Sequence, residues 1–411
     1  MPMCAMINRK EDFTPFDMKR PPCKQNLFLL PVIWGASFLI TRRFKLKIDR
    51  FGIKGLKPPY LLICAHQGFA DYYITPLATF PHRTNYVSDM EGYAAFGEGL
   101  YRAIGCIGKR RFVTDMTVLK NIRHALKKGQ IVALYPESRH SNAGTTSLIP
   151  DNIGRLCKTL GVPVATLTIH GSYLANPFWD EEHTRRSRIT AKIELQYSAE
   201  ELKSTPAEEI QTRIESLLTY DEYRYQLEER IPITYDKRAE GLHLALYRCP
   251  KCKNNYKMRS EGARLFCTEC NAEWTMNQYG VLEGEPDYHI PDWYESQRNE
   301  VTERIEHGEY HKEFHVCVEA LPNSKGFIPI GEGRLTHDKD GFTLFLSDKE
   351  RHFSTVSMES VQTEYNYRGR GTCLVLSDKD CCYYVYCTAE EFNVTEIQFA
   401  AEYYHKQTRS S

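Results

Sequence analysis

The chain has 411 residues, enough for two or three domains, and its 42% apolar and 26% charged content is that of a folded chain rather than a disordered one. Its 53 basic and 53 acidic side chains cancel, so no global positive field draws it to nucleic acid, and any attraction for anions must be local.

The longest apolar run lies early, from Leu27 to Ile40, with Lys19, Arg20 and Lys24 before it and Arg42, Arg43, Lys45 and Lys47 after it. As a helix it spans about 21 Å, short of the roughly 30 Å of a hydrocarbon core. Pro31 and Gly35 weaken it further as a straight span. The flanking cations and Trp34 suit a headgroup interface, so residues 1–50 are expected to form a membrane-associating segment that enters one leaflet. The bland alternative is a buried first helix. A cleaved signal peptide fits poorly, because the run starts late and Thr41, Arg42 and Arg43 offer no small-residue cleavage site.

Tyr60 to Ala65 reads as a short buried strand, and Asp71 onward as the opening of a helix. Between them stand His66 and Asp71. On one regular helix two residues five apart point about 140° away from each other, so a strand-to-helix bend is what brings the carboxylate to the ring. A carboxylate on one ring nitrogen leaves the other free to take a proton from a hydroxyl, a contribution of roughly 10²–10⁴-fold in rate. Taken alone, such a pair is a common accident.

Further on, Ala103 to Phe112 sets Lys109, Arg110 and Arg111 after a glycine-punctuated apolar turn. Ile131 to Tyr135 is a buried strand that ends in the polar loop Pro136, Glu137, Ser138, Arg139, His140, and Val162 to Ile169 is another buried strand after Gly161. In order and spacing these four blocks resemble the glycerolipid acyltransferases of the lysophosphatidate (1-acylglycerol-3-phosphate) acyltransferase family. The resemblance covers residues 25–220, about half the chain. His66 and Asp71 match the first block, Gly105 and Arg111 the second, Pro136 and Glu137 the third, and Val162, Pro163 and Val164 the fourth. The family often has Asn before the His and Ser two after it, where this chain has Ala65 and Gly68. Its glycine after the Pro-Glu pair is Ser138 here, and its arginine falls on Arg139 or, by position, on His140.

The resemblance implies an α/β acyltransferase domain over residues 51–240, with a central mixed sheet flanked by helices. It implies a lysophospholipid acyltransferase, with lysophosphatidate converted to phosphatidate as the first expectation and acyl-CoA or an acyl carrier protein thioester as donor. His66 would deprotonate the acceptor hydroxyl while Asp71 holds the imidazole. Arg111, helped by Lys109 or Arg110, would bind the phosphate, Glu137 would anchor the arginines or bond the glycerol, and Ser138 and Arg139 would line the substrate. A guanidinium suits phosphate because it presents a planar fork of donors and stays charged. No serine or cysteine sits in a recognisable nucleophile setting, so a covalent acyl-enzyme is not expected. The competing readings are a non-catalytic lipid-sensing scaffold on the same fold, and transfer to another lysolipid acceptor.

Beyond this unit, Cys249 and Cys252, then Cys267 and Cys270, make two Cys-x-x-Cys knuckles with fourteen residues between them. Two such pairs close a tetrahedral Zn²⁺ site with no open position, a structural zinc ribbon over residues 244–282 with Tyr256, Phe266 and Trp274 as its small core. The ten remaining cysteines show no pairing pattern. A reducing compartment is therefore expected, with the protein peripheral or monotopic on the inner face of the membrane. From 310 to 407, six short alternating runs between Phe314 and Tyr386, separated by turns such as Asp338 to Gly341, predict a β-sandwich or barrel. A helix from Thr388 to about Gln407 closes it. That element order resembles the pleckstrin-homology or GRAM class.

Overall fold

The structure is a computed structural model that describes residues 12–180, 182–347 and 349–410. Residues 1–11, which begin the expected membrane-associating segment, lie outside the described residues. Seven strands form the first sheet: β1 (Lys47–Phe51), β2 (Tyr60–Cys64), β3 (Thr84–Ser88), β4 (Cys106–Gly108), β5 (Ile131–Leu134), β6 (Val164–His170) and β7 (Thr190–Tyr197), in the order β1-β7-β6-β2-β5-β3-β4. β2 and β5 are buried at every position. Their unbroken apolar sequence follows from being covered on both faces, as central parallel strands are. Leu61 and Ile63 join a cluster with Val118, Ile122 and Ala125 of the helix Met116–Lys127, while Leu62 and Cys64 join Ile74 and Ala78 of the helix Asp71–Ala78 on the other face. β7 pairs antiparallel with β6 and parallel with β1, which makes the sheet mixed.

β2, β5, β3 and β4 are parallel neighbours. The loops leaving their carboxyl ends therefore open on one edge, the place where open α/β sheets put their ligands. Those four loops carry His66, the Pro136 to His140 segment, Asp89, and the Lys109 to Arg111 run.

A second, four-stranded antiparallel sheet holds β8 (Met258–Glu261), β9 (Arg264–Cys267), β10 (Glu273–Met276) and β11 (Leu282–Glu283). Trp274 is buried there as expected, but Tyr256 and Phe266 are only half-buried. β9 alternates, so Leu265 and Cys267 face inward in place of Phe266. The small sheet is also less isolated than a lone ribbon: Trp274 packs edge-on against Trp293 of the helix Ile290–Glu306 at 4.9 Å, and its core runs on into that of the next sheet.

The third sheet is antiparallel and curls into a half-barrel of β12 (Lys312–Leu321), β13 (Ile328–Asp338), β14 (Gly341–Leu346), β15 (Glu350–Ser354), β16 (Gln362–Glu364), β17 (Cys373–Ser377) and β18 (Cys382–Tyr386), ordered β15-β14-β13-β12-β18-β17-β16. The helix Val394–Ser410 packs along it, with Ile397, Phe399 and Ala400 buried.

Residues 12–26 bind protein rather than projecting outward. The Asn323 side-chain amide donates to the carbonyls of Asp12 and Thr14 at 2.8 Å, and those of Asn121 and Asn85 donate to Met18 and Cys23 at 2.9 Å, so this stretch straps the half-barrel to the first sheet. The early apolar run forms the helix Leu30–Arg42, which leaves Val32, Phe38 and Leu39 exposed, with Phe28 just ahead of it 90% exposed. Among the described residues no helix is long and apolar enough to cross a membrane.

Candidate active site

His66 follows β2 and Asp71 opens the helix Asp71–Ala78, with the bend between them that their spacing demands. His66 Nδ1 lies 3.3 Å from Asp71 Oδ2, and the same oxygen accepts the backbone N–H groups of Gln67 at 2.6 Å and Gly68 at 3.0 Å. Three donors on one fully buried carboxylate oxygen lock the turn and fix the plane of the ring. The other ring nitrogen, Nε2, lies 3.3 Å from the Tyr72 hydroxyl. Burial pushes that phenol well above its ordinary range, so it stays protonated beside the ring.

His66, Tyr72, Asp89, Lys109, Arg111 and Ser138 share a narrow cavity of about 40 Å³. Gly105 sets up the cationic wall. Its φ is +90°, and a Cβ there would meet the Thr84 carbonyl oxygen at 3.0 Å, so only glycine lets β4 start where it does. Lys109 Nζ donates to Ser138 Oγ at 2.8 Å, and burial pulls this ammonium down to about 8. Arg111 Nη2 donates to Asp89 Oδ2 at 2.5 Å. Burial alone would push the Asp89 carboxyl up, but the guanidinium overrules it and holds it low.

The structure does not bring Arg110 to this cavity. Its guanidinium turns away and donates to the carbonyls of Lys379 at 2.8 Å and Asp380 at 2.9 Å, both on the half-barrel. Arg139 likewise leaves the site for Glu402 at 2.7 Å and Ser360 at 2.9 Å. Both are committed to protein acceptors, which corrects the expectation that they bind substrate. Glu137 neither anchors the arginines nor faces the cavity: it is fully buried and accepts the backbone N–H of His66 at 2.9 Å and of Ser147 at 2.8 Å, with the Tyr220 hydroxyl at 3.2 Å. It is a strut that ties the third block to the backbone of His66. Desolvation pushes its carboxyl up to about 8.

Ser138 takes the position where the family has glycine and adopts φ +58°. A non-glycine residue there costs about 1–2 kcal/mol of backbone strain, and its hydroxyl is the acceptor for Lys109. His140 stacks edge-on against His66 with ring centroids 4.4 Å apart. Burial, with His66 and Arg111 nearby, drives its imidazole well below the ordinary range, so it is neutral.

Residues 44–170 match the sequence profile of the family described as Acyltransferase. The chain carries an acyltransferase-family domain. No curated protein matches the chain. Among solved structures, the 1-acyl-sn-glycerophosphate (LPA) acyltransferase PlsC from Thermotoga maritima is similar at 18% identity, over 46% of this chain and 77% of that one, with a TM-score of 0.38. A Streptomyces coelicolor structure, described through mutations in SsgB that correlate to longitudinal cell division during sporulation, has 13% identity over 25% of this chain and 86% of that one, with a TM-score of 0.14.

Three residues around His66 and Arg111 escape sequence reasoning. Tyr72 signals itself only as a hydroxyl next to Asp71 on the first helical turn. Tyr135, whose ring lies 4.7 Å from that of His66, reads as the last residue of an apolar strand. Asp89 N-caps the helix Met90–Phe96 by accepting from the Gly92 N–H at 3.1 Å, a pattern that says nothing about a cation twenty-two residues on.

Away from this edge, the sulfurs of Cys249, Cys252, Cys267 and Cys270 lie within 4.8 Å of one another. Cys249 to Cys270 and Cys252 to Cys267 are each 3.7 Å apart. Four sulfurs at the corners of a tetrahedron with bonds of about 2.3 Å stand about 3.8 Å apart, so the set fits a structural metal such as zinc.

Proposed function

We propose that this protein is a lysophospholipid acyltransferase that moves a fatty acyl group from a thioester, acyl-CoA or acyl carrier protein, to the free hydroxyl of the acceptor. The observation that carries this reading is the shared cavity: an acid-steered imidazole faces the same small space as Lys109 and Arg111. His66 takes the hydroxyl proton as the acceptor oxygen bonds to the thioester carbonyl carbon. The carbon–sulfur bond then breaks, and the leaving thiolate takes that proton back from the ring. Asp71 holds the tautomer throughout, and Lys109 and Arg111 face the phosphate that every lysophospholipid acceptor carries.

A second, larger cavity of about 590 Å³ supports the lipid half of the proposal, for it lies between Leu39, Ile40 and Arg43 of the apolar helix and Phe69 and Tyr73 beside the catalytic turn. Phe69 touches His140, which touches His66, so two ring contacts link this apolar surface, on the side of the exposed Leu39, to the imidazole. We read that helix, with Arg42, Arg43 and Lys45 at its end, as a monotopic anchor on the inner face of the membrane.

The test is purified protein with labelled palmitoyl-CoA and a panel of lysolipids, scored for diacylated product. Arg111→Lys keeps the charge and loses the fork, and is expected to raise the acceptor KM by about tenfold with the donor KM unchanged. A donor effect without an acceptor effect would reassign Arg111.

The four-cysteine set is proposed to hold structural zinc. Elemental analysis of the purified protein is expected to find about one zinc per chain, and Cys252→Ser is expected to lower it. Because the ribbon core is continuous with the half-barrel, chelation should lower the melting temperature of both together. Absence of bound metal would overturn the site.

A further inference from the structure

The half-barrel brings Glu364 to the cavity that Arg111 lines. Arg111 lines that cavity and holds Asp89 at 2.5 Å through Nη2, while its other terminal nitrogen, Nη1, lies 3.6 Å from Glu364 Oε1 on β16. Gln362 Nε2 donates to the same Glu364 oxygen at 2.7 Å. At 3.6 Å the Arg111–Glu364 contact exceeds a hydrogen bond and acts through charge. β16 is pinned over this edge of the acyltransferase sheet. Arg139 donates to Ser360 Oγ and to the Val361 carbonyl, and Tyr384 of β18 donates to Glu91 at 2.8 Å.

We propose that Glu364 is a positioning residue that sets which acceptor charge the site prefers: lysolipids whose phosphate is a diester, with a headgroup of net charge zero or minus one, ahead of phosphomonoesters. This rests on the lysophospholipid reading above and deepens it.

The charge count decides the direction. Lys109 and Arg111 supply two cations at the cavity, and Asp89 and Glu364 supply two anions against them. Glu91 stands nearby, its carboxyl pushed up by burial against the pull of Arg111, and in either form it adds no positive charge. The cavity therefore presents no net positive charge. A phosphomonoester brings about −1.5 to −2 charges near neutral pH, all of it added to a cavity whose two cations are already balanced by two acids. A diester adds only one negative charge to that balance, and a zwitterionic one adds none net. Without Glu364 the balance would be one positive charge, which favours the dianion.

The full-length wild type is expected to show a higher kcat/KM with lysophosphatidylethanolamine and lysophosphatidylglycerol than with lysophosphatidate. Glu364→Gln is expected to raise kcat/KM for lysophosphatidate by about tenfold, through KM, and to move the diesters by less than about twofold. Glu364→Asp, which retains the charge, should keep the wild-type order. Calorimetric binding of glycerol 3-phosphate, the bare headgroup, reads the same site without turnover and should tighten in Glu364→Gln but not in Glu364→Asp. A wild type that favours lysophosphatidate, or a Glu364→Gln effect equal on every acceptor, overturns the proposal. If no lysolipid is acylated yet the binding shift appears, acyl transfer falls and charge selection stands. If turnover occurs with an unaltered order of acceptors, the reverse holds.

Discussion

His66→Ala is expected to abolish acyl transfer, lowering kcat by at least about 10²–10⁴-fold, while the protein folds and melts as the wild type does. The second half of that expectation follows from how Asp71 is held. Its buried Oδ2 keeps the backbone N–H groups of Gln67 and Gly68 when the ring is removed, so no buried carboxylate oxygen is stripped of all its donors. Glu137 likewise bonds the backbone of residue 66, not its side chain, and the strut survives the substitution. Asp71→Ala is different: it orphans both N–H groups in a buried turn, at about 1–3 kcal/mol for each unsatisfied donor, and should lose stability as well as activity. The pair of variants separates chemistry from scaffolding. Turnover of His66→Ala within a few-fold of wild type, with acyl-CoA and the best acceptor of the panel, would remove the imidazole from the mechanism.

Much of this site was legible because the signals are local. An apolar strand, a His, a bend and an Asp lie within a dozen residues, and two cysteine knuckles announce their own geometry. What sequence could not assign is where a cation points when its partner is far away. Arg110 and Arg139 stand beside the cavity in the chain, yet their acceptors lie between 212 and 270 residues on, in the half-barrel. A basic cluster reads alike whether it faces a phosphate or a neighbouring domain. β16 was missed for a related reason: three residues are too few to alternate, and Gln362, Thr363 and Glu364 are all buried polar groups with no apolar face to see. The half-barrel itself was readable as strands with a closing helix, but its docking over the acyltransferase edge was not, since docking depends on polar contacts that leave no periodicity.

Those contacts converge on Glu402, and Glu402→Ala is expected to destabilise the protein by about 3–5 kcal/mol, the cost of breaking a buried ion pair from one side. Its carboxylate accepts from Arg139 at 2.7 Å, Arg298 at 2.6 Å and Ser360 at 2.6 Å, and the Arg139 side chain is only 4% exposed. Alanine would leave the buried Arg139 guanidinium without a carboxylate, while Arg298, at the surface, keeps Glu295 at 2.8 Å. Burial pushes the Glu402 carboxyl up, but the two arginines overrule it and hold it near 2 against an ordinary value of 4.5. A depressed carboxylate pKa contributes stability that is present above about 4.5 and is lost as pH falls through about 2. The gap between wild type and Glu402→Ala, measured by urea unfolding, should therefore be full at pH 7 and shrink as the medium is acidified. A gap below about 0.5 kcal/mol at pH 7, the range of ordinary surface substitutions, would show that the pairing holds nothing together. Because Arg139 follows Ser138, the acceptor of Lys109, a loosened Arg139 should also blur the headgroup cavity. Glu402→Ala enzyme that remains folded at low temperature is expected to show a raised acceptor KM with kcat less affected, the mark of a wall displaced rather than a catalyst removed.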